Sequence, residues 1–524
     1  MINLSRFLIV IVALISFFSC KKSFLDEKSQ SAYSPENTLN DSLGFEANIA
    51  GLQAAVREQY TAKRPVDIQM TGFQVGTDVG IRGKGTANAS FENYSLLTPV
   101  DPIIAFYWYW GYKVISNANQ IIKAAEDPVV PLSIGGRNGY LAEAKFFRAY
   151  AYNFLVTLFG PVPLLDEPIN VPKTDFTNAT VQLLNDFIIE DLVFSETHLH
   201  SIDAVKKPGR ISKEAAQQLL AEVYLRNDNP ILAEAECEKV INGPFALTED
   251  RYGIAKDQPG DAFSDMFIYG NQRRRQGNRE AIWVIEQEFG VPGGSDDGDQ
   301  HRRNWVPTYF EKSGMLICDS LGGRGQGNVR LSWWVINELY TGNDMRNSTY
   351  SIHRDFWYND PANAKFGQKV IPAAGDTLFR LAPYTTKWNF TLPNDVLVSS
   401  TYKDLIMMRL GETYLLKAEA QFKQGKLIEA AASINKIRSR AQASQLQPAE
   451  ITLDIILDER ARELIGEENR RMTLVRTGTL VERVRRLNAG VTSNIQEHNK
   501  LLPIPQSEID LNKDAKLEQN PGYN

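Results

Sequence analysis

Residues that could carry catalysis are few in this 524-residue chain, and their spacing fits no hydrolytic motif. The five histidines are scattered, and neither H-E-x-x-H nor the nucleophile elbow G-x-S-x-G occurs. His198 and His200 could converge on a metal, but the sequence places no third ligand near them. A carboxylate pair for glycoside hydrolysis needs to meet only in space, so a glycan-cleaving enzyme stays open as an alternative. We predict a protein without catalytic residues.

Two segments could hold a cofactor, and both depart from the pattern that binding requires. Asp296, Asp297 and Asp299 suggest calcium, yet a twelve-residue calcium loop would need its bidentate glutamate where Pro307 stands. In MLICDSLGGRGQGNV the glycines do not complete the dinucleotide fingerprint G-x-G-x-x-G. We therefore predict no bound metal and no cofactor.

The sequence gives more support to ligand binding. Sugars present apolar C–H faces and hydroxyl groups, so a site for them needs flat aromatic surfaces beside Asp, Asn and Arg side chains. Glycine-rich, aromatic segments supply both kinds of residue. The predicted ligand-binding residues are Asp78, Arg82, Asn88, Arg302, Trp305, Tyr309, Trp357, Tyr358 and Trp388.

Each tryptophan also has a simpler interpretation, because tryptophan side chains are mostly buried on average. Trp108 and Trp110 lie at the start of a strongly apolar helix and are predicted to be core residues. At least one of Trp333 and Trp334 should be buried. For Trp305, Trp357 and Trp388, core packing and ligand contact remain open.

Helices must form the scaffold that positions the predicted ligand-binding residues. In SKEAAQQLLAEVYLRN, apolar residues recur at helical spacing from Ala216 to Tyr224, and the helix ILAEAECEKVI follows after a short turn. A similar hairpin begins at Gly411, and both partly match the tetratricopeptide pattern. Because the hairpins are far apart in sequence, we expect a scaffold with long insertions at 70–102 and 243–403 rather than one uninterrupted array.

Other periodic segments predict further helices at about 42–62, 106–125, 140–159, 181–196 and 453–487. Within the second insertion, AIWVIEQEF is typical of a strand. Irregular loops on a rigid scaffold are where binding residues concentrate, so the insertions are the predicted location of function.

Composition excludes several classes of protein. With 43% hydrophobic and 23% charged residues, the chain has the composition of a globular protein. Its length allows several hydrophobic cores or one extended superhelix. A net charge of -6 and short, isolated arginine clusters argue against nucleic acid as a partner. Three cysteines exclude a disulfide framework. Cys237 is a predicted core residue, and its pairing with Cys318 is left open.

The N-terminus has the organisation of a secretory signal. Arg6 precedes the apolar run Phe7 to Phe18, which is shorter than the roughly 20 residues of a membrane-spanning helix. The run ends in a small residue and Cys20, which resembles a bacterial lipoprotein box, although Phe17 stands where such boxes prefer leucine. We predict that Cys20 is lipidated and anchors the mature chain to a membrane.

Four segments together resemble the SusD/RagB family of outer-membrane nutrient-binding lipoproteins. They are the start CKKSFLDEKS, the helix LAEAKFFRAYAYNFLVTLFGPVPLL, the hairpin MMRLGETYLLKAEAQFKQGKLIEAAASINKIRSRA, and the terminal stretch from LLPIPQSEIDLN to QNPGYN. Glu468 and Thr473 depart from the resemblance, since the family often has Gly and Asp at these points.

The resemblance implies a mainly α fold: a tetratricopeptide-like α-superhelical scaffold with long irregular loop insertions and a few short strands. It also implies an outer-membrane lipoprotein facing the cell exterior that captures an oligosaccharide and passes it to a TonB-dependent, SusC-like transporter without cleaving it. A peptide ligand, as for RagB-like proteins, is the alternative. An exported glycoside hydrolase and a tetratricopeptide scaffold that binds only protein are further alternatives.

The predicted organisation follows from these features. We expect a signal peptide at 1–19, a lipidated tether at 20–41, an N-terminal helical region at 42–242, an insertion-rich ligand-binding region at 243–403, and a C-terminal helical region with the terminal signature at 404–524. Residues 243–524 would together form the RagB/SusD domain.

Overall fold

Helices make up most of the regular structure. The computed structural model describes residues 38–60, 69–83, 89–291, 293–294, 299–392, 394–398, 400–488 and 494–523. The α-helices are α1 (Ser42–Arg57), α2 (Ala89–Glu92), α3 (Pro102–Glu126), α4 (Ile134–Phe159), α5 (Val181–His198), α6 (Lys213–Arg226), α7 (Pro230–Ile241), α8 (Ala262–Asp265), α9 (His301–Trp305), α10 (Trp333–Asn337), α11 (Leu410–Lys423), α12 (Leu427–Arg440), α13 (Leu453–Leu464), α14 (Arg470–Arg476), α15 (Leu480–Leu487) and α16 (Gln506–Leu511).

Local sequence sets where the long helices begin and end. The Asp101 side chain accepts a hydrogen bond from the backbone N–H of Ile103 at 2.8 Å, and Pro102 fits the first helical position of α3 because its missing N–H would be unpaired there anyway. Ser133 caps α4 in the same way, and Gly160 ends that helix with a φ of 72°.

The helices form an array that is continuous in space. Along it, α3 packs on α4, α4 on α5, α5 on α6, and α6 on α7; the chain then leaves the array and returns, so that α7 packs on α11, and α11 on α12 and α13. Gln421 of α11 donates to Glu234 of α7 at 2.9 Å. Our expectation that sequence separation would break the array was wrong, because the long insertion loops out between two helices that still meet.

The strands are short, and most of them lie in or next to the insertions. The strands are β1 (Gly80–Arg82), β2 (Val162–Pro163), β3 (Asn178–Ala179), β4 (Ala281–Ile285), β5 (Val329–Leu331), β6 (Ile352–His353), β7 (Tyr384–Thr385) and β8 (Leu405–Arg409). Each pairs antiparallel in a two-stranded sheet: β1 with β5, β2 with β3, β4 with β8, and β6 with β7. The predicted strand AIWVIEQEF is confirmed as β4, and its partner β8 leads directly into α11.

The core confirms the helical periodicity. Ala216, Leu219, Leu220 and Val223 of α6 are all buried, as are Trp108, Trp110 and Cys237. Cys237 and Cys318 are both free thiols. Burying this apolar face stabilises the array at roughly 25 cal/mol per Å² of surface removed from water.

The helical pattern predicted at about 453–487 folds as three helices, α13, α14 and α15. Gly466 and Gly478 stand between these helices with φ angles of 77° and 72°, a left-handed backbone that interrupts a helix. The Asn469 side chain then caps α14 by accepting from the Met472 N–H.

Candidate functional site

The two inserted regions meet in one β-ribbon, which we call the β1–β5 ribbon. Gly80 lies opposite Leu331, and Arg82 opposite Val329. The backbone pairing continues by one residue at each end, from Ser332 N to Val79 O at 2.9 Å and from Gly83 N to Asn328 O at 2.8 Å. The ribbon therefore joins the loop that follows α1 to the central insertion.

Close backbone approach at one end of the ribbon requires glycine. A Cβ atom added to Gly83 would lie 1.7 Å from the carbonyl oxygen of Gly327, which is far inside van der Waals contact. Glycine at this position lets the ribbon close without displacing the second strand.

A cation and an aromatic ring lie side by side next to the ribbon. Arg330 donates from Nε and Nη2 to the carbonyl oxygen of Arg82, at 3.1 and 3.0 Å, and its guanidinium lies 5.2 Å from the centre of the Phe379 ring. Burial lowers the pKa of Arg330, although Glu92 opposes this effect. Arg82 forms an ion pair with Glu92 at 2.6 Å, which orients the cation at the surface.

Exposed aromatic surface completes this region. Trp333 begins α10 immediately after the ribbon, and its side chain is 64% exposed, whereas Phe379 is 40% exposed. Ser332 caps α10 by accepting from the Val335 N–H, which fixes the point at which Trp333 leaves the strand. We define the ribbon surface by Arg82, Asn328, Arg330, Trp333 and Phe379.

Flat aromatic area beside hydrogen-bonding groups is the chemistry that recognises a sugar ring. The rings can contact its C–H face, and Arg and Asn can bind its hydroxyl groups. The Asn328 amide is oriented by donating to Asn304 Oδ1 at 2.7 Å.

Five of the predicted ligand-binding residues lie in the interior: Asp78, Arg302, Trp305, Tyr309 and Trp388. Asp78 is fully buried and accepts hydrogen bonds from Arg470 and Arg483. These five side chains pack inside the protein and are not at the ribbon surface.

The interior contacts of these residues explain their burial. Arg302 donates to the carbonyl oxygens of Gly322 and Val398, and Tyr309 Oη donates to Gly323 O at 2.9 Å. Trp388 donates from Nε1 to Gly466 O at 3.1 Å. Arg302 and Tyr309 thereby tie loops of the insertion to one another. Trp388 ties the insertion to the turn between α13 and α14.

The other predicted residues lie at the surface or outside the described residues. Arg82 is part of the ribbon surface. Trp357 is 46% exposed, and Tyr358 is partly exposed with Lys365 Nζ 5.7 Å from its ring centre. Asn88 lies outside the described residues, as do Cys20 and the predicted signal peptide.

The sequence predictions missed Arg330, Trp333 and Phe379 as members of the site. Only Trp333 carried a signal, because the sequence predicted that at least one of the adjacent Trp333 and Trp334 is buried. The structure confirms that prediction, with Trp334 buried and Trp333 exposed. Arg330 and Phe379 are 49 positions apart in the numbering, and no motif links them.

One buried carboxylate pair does meet in space. Arg409 and Arg440 each contact both Glu280 and Glu463, and all four side chains are essentially inaccessible. Burial alone would raise the pKa of Glu463, but the surrounding arginines hold it well below its usual range. This pair stabilises the junction of β4, β8 and the C-terminal helices, and a sugar cannot reach it.

Two further features bear on the predictions. In the described part of the chain, no helix combines the length and apolar character needed to cross a membrane. The described residues also contain no cluster of three or more His, Cys, Asp or Glu side chains that could hold a metal ion.

The fold is a helical scaffold with long insertions, and comparison with known proteins identifies the family. A model described as "SusD family" matches residues 379–523, and one described as "Starch-binding associating with outer membrane" matches residues 23–225. The chain belongs to the SusD/RagB family.

Individual relatives extend the likeness over most of the chain. SusD-like protein P25 of Formosa agariphila is 25% identical, covering 97% of each chain. Starch-binding protein SusD of Bacteroides thetaiotaomicron is 26% identical over 73% of this chain and 72% of its own. A solved structure of a laminarin binding SusD-like protein superposes with a TM-score of 0.69 at 21% identity, covering 92% of this chain and 100% of that one, which confirms the fold.

Proposed function

We propose that this protein is a non-catalytic, outer-membrane-associated protein that captures a glycan at the ribbon surface. The observation that carries the proposal is the exposed indole of Trp333, three residues after Arg330, whose guanidinium lies over the partly exposed Phe379 ring. The names of its relatives support a glycan ligand, since one is a starch-binding protein and a structural neighbour is a laminarin binding protein.

The exposure of its aromatic side chains sets the expected affinity, since Trp333 is 64% exposed and Phe379 is 40% exposed. A glycan that lies on a shallow face keeps much of its hydration, so the gain from removing apolar surface from water is limited. We expect modest affinity for a single sugar unit and stronger retention of a polymer that contacts several side chains at once.

Anchoring and delivery are further parts of the proposal. Lipid on Cys20 would hold the folded domain at the outer membrane, and a SusC-like, TonB-dependent transporter would receive the glycan. Labelling of the full chain with palmitate, compared with a Cys20→Ala variant, tests the anchor. Co-purification with a barrel transporter tests the delivery step.

The binding proposal is tested by electrophoresis of the purified protein in gels that contain starch, laminarin or other neutral polysaccharides. We expect at least one polysaccharide to retard the protein. Trp333→Ala and Phe379→Ala should each weaken that retardation about threefold to tenfold, because each removes an aromatic contact of roughly 0.5–1.5 kcal/mol.

Tyr109→Ala is the matched control, since Tyr109 is similarly exposed but lies on α3, outside the ribbon surface. It should leave retardation unchanged. Measuring the binding of a peptide library to the same protein tests the alternative of a peptide ligand, as for RagB-like proteins. Equal retardation of the wild type and both ribbon variants would contradict the site, and release of reducing sugar ends would contradict a non-catalytic role.

A further inference from the structure

The glycine-rich segment LGGRGQGNV, which does not match the dinucleotide fingerprint, leads directly into the ribbon surface. Along it, side chains that reach the solvent alternate with buried residues. The outward side chains are Arg324, Gln326, Asn328 and Arg330, and the buried residues between them are Gly325, Gly327 and Val329. We call the four outward side chains the polar row. Its last two members belong to the ribbon surface, so the polar row extends that surface by two residues.

The backbone beneath the polar row is fixed to the rest of the insertion. Gln326 N donates to the carbonyl oxygen of Arg303 at 2.7 Å. A Cβ atom added to Gly325 would lie 2.0 Å from the carbonyl oxygen of Val306, so this close packing requires glycine. Because the backbone is already ordered, binding a ligand costs mainly the conformational entropy of the outward side chains.

A cation and an aromatic ring lie together at each end of the polar row. The Arg324 guanidinium lies 5.9 Å from the centre of the Phe310 ring, and the Arg330 guanidinium lies 5.2 Å from that of Phe379. Phe310 is partly exposed, and its ring stands edge-on to Tyr309 with the centres 5.9 Å apart. Each end therefore combines a ring surface with hydrogen-bond donors, as a sugar ring needs.

The outward side chains keep donors that the protein does not use. Arg324 is exposed, and its guanidinium forms no hydrogen bond or ion pair with another described residue. Gln326 is also exposed, and its Oε1 accepts from Asn328 Nδ2 at 3.3 Å. Its own Nε2 donates to no other described residue. These donors can bind hydroxyl oxygens of a ligand.

The backbone of the polar row, by contrast, is engaged within the protein. Arg324 N donates to Val396 O at 3.0 Å, and Arg324 O accepts from Arg302 Nη1 at 3.0 Å. Asn328 O accepts from Gly83 N at 2.8 Å. A peptide that binds as an added strand needs unpaired backbone groups. Ligand contacts must therefore come from the side chains, which favours the hydroxyl groups of a glycan over a peptide backbone.

From this arrangement we infer that the polar row continues the glycan site, so that a linear chain of several sugar units lies along it between Phe379 and Phe310. The inference rests on the proposed glycan binding at the ribbon surface, and it adds the form of the ligand: a chain rather than a single unit. Six residues span at most about 22 Å, and the left-handed backbone at Gly327 shortens the row further. Sugar units beyond those at the ribbon surface should therefore increase the affinity.

Isothermal titration calorimetry with oligosaccharides of increasing length tests the inference. The probes are malto-oligosaccharides and laminari-oligosaccharides, each from the disaccharide to the heptasaccharide. We expect affinity to rise with length in at least one series. Arg324→Ala and Gln326→Ala should each weaken heptasaccharide binding about threefold to tenfold, because each removes a hydrogen-bonding side chain. Neither should change disaccharide binding, and both variants should fold because both side chains are exposed.

Two control variants separate the polar row from the ribbon surface. Arg279→Ala removes another exposed arginine, which lies outside both surfaces, and should leave the binding of every length unchanged. Trp333→Ala should weaken short and long chains alike. Absence of binding by every oligosaccharide would contradict the proposed function and this inference together. Equal affinity for all lengths, or a length dependence that both row variants retain, would overturn this inference alone.

Discussion

Substituting Asp78 with asparagine separates a structural role from a ligand-binding role at a single residue. The substitution keeps the shape of the side chain and removes its charge. In the structure the carboxylate accepts from Arg470 Nε and Nη2 at 2.8 and 2.6 Å, and from Arg483 Nε at 2.8 Å. It therefore ties the loop after α1 to helices α14 and α15, which lie 392 and 405 residues further along the chain.

The magnitude follows from the burial of all three groups. Removing one partner of a buried ion pair costs about 3–5 kcal/mol, because it leaves the opposite charge uncompensated. Here both cations keep other partners: Arg470 contacts Glu468 at 3.0 Å, and Arg483 contacts Asp458 at 2.6 Å. We expect Asp78→Asn to lower the free energy of unfolding by about 3 kcal/mol, near the lower end of that range.

Urea unfolding followed by circular dichroism measures this loss, and its pH dependence identifies the cause. Burial alone would raise the pKa of Asp78, but the two arginines outweigh it and hold the pKa below the ordinary value of 3.8. The stabilisation is therefore complete above pH 3.8 and is lost as the pH falls through the lower folded-state value. The difference between wild type and variant should be constant at neutral pH and shrink in acid.

The control is Lys123→Gln, which breaks the exposed pair with Glu167 and should change stability by less than about 1 kcal/mol. If Asp78→Asn unfolded at the wild-type urea concentration but no longer bound polysaccharide, the structural role argued for Asp78 would be refuted.

Two other predictions test the packing and the buried charges. Gly111→Ala should destabilise the protein by about 1–3 kcal/mol in urea unfolding, because its Cβ would lie 2.7 Å from Leu155 at the contact between α3 and α4. At Gly51 an added Cβ has no atom within 4 Å, so Gly51→Ala should stabilise the protein by about 0.5–1 kcal/mol. Equal changes in unfolding free energy for the two variants would contradict this account. Burial lowers the pKa of Lys403 to about 7, so the folded chain binds fewer protons than the unfolded chain between about pH 7 and 10.5. Unfolding free energy should rise with pH in that window, and Lys403→Met should reduce the slope; an unchanged slope would contradict the shifted pKa.

Helical periodicity could be read from the sequence because it depends on near neighbours. The spacing from Ala216 to Tyr224 predicted both the helix α6 and its buried face, and the apolar run around Trp108 and Trp110 predicted their burial. The resemblance to the SusD/RagB family rested on local segments of the same kind. Each of these signals lies within a short stretch of the sequence.

The candidate site could be predicted only in part, since irregular loops have no periodicity that reports burial. Trp305 and Trp388 are buried and Trp357 is exposed, yet their local sequences gave no basis for this difference. Arg82 and Asp78 were both predicted to bind ligand, yet Arg82 is partly exposed. Asp78, four residues earlier, is an interior ion-pair partner.

The sequence by itself determined the helical hairpins, the absence of known catalytic motifs, and the residue types from which a binding surface could be built. Tertiary structure alone decided that α7 meets α11, that Arg330 lies over Phe379, and that Asp78 faces Arg470 and Arg483. The physical reason is distance along the chain: turns and amphipathic faces form from near neighbours, whereas burial and charge pairing in the insertions depend on residues that come together only after folding.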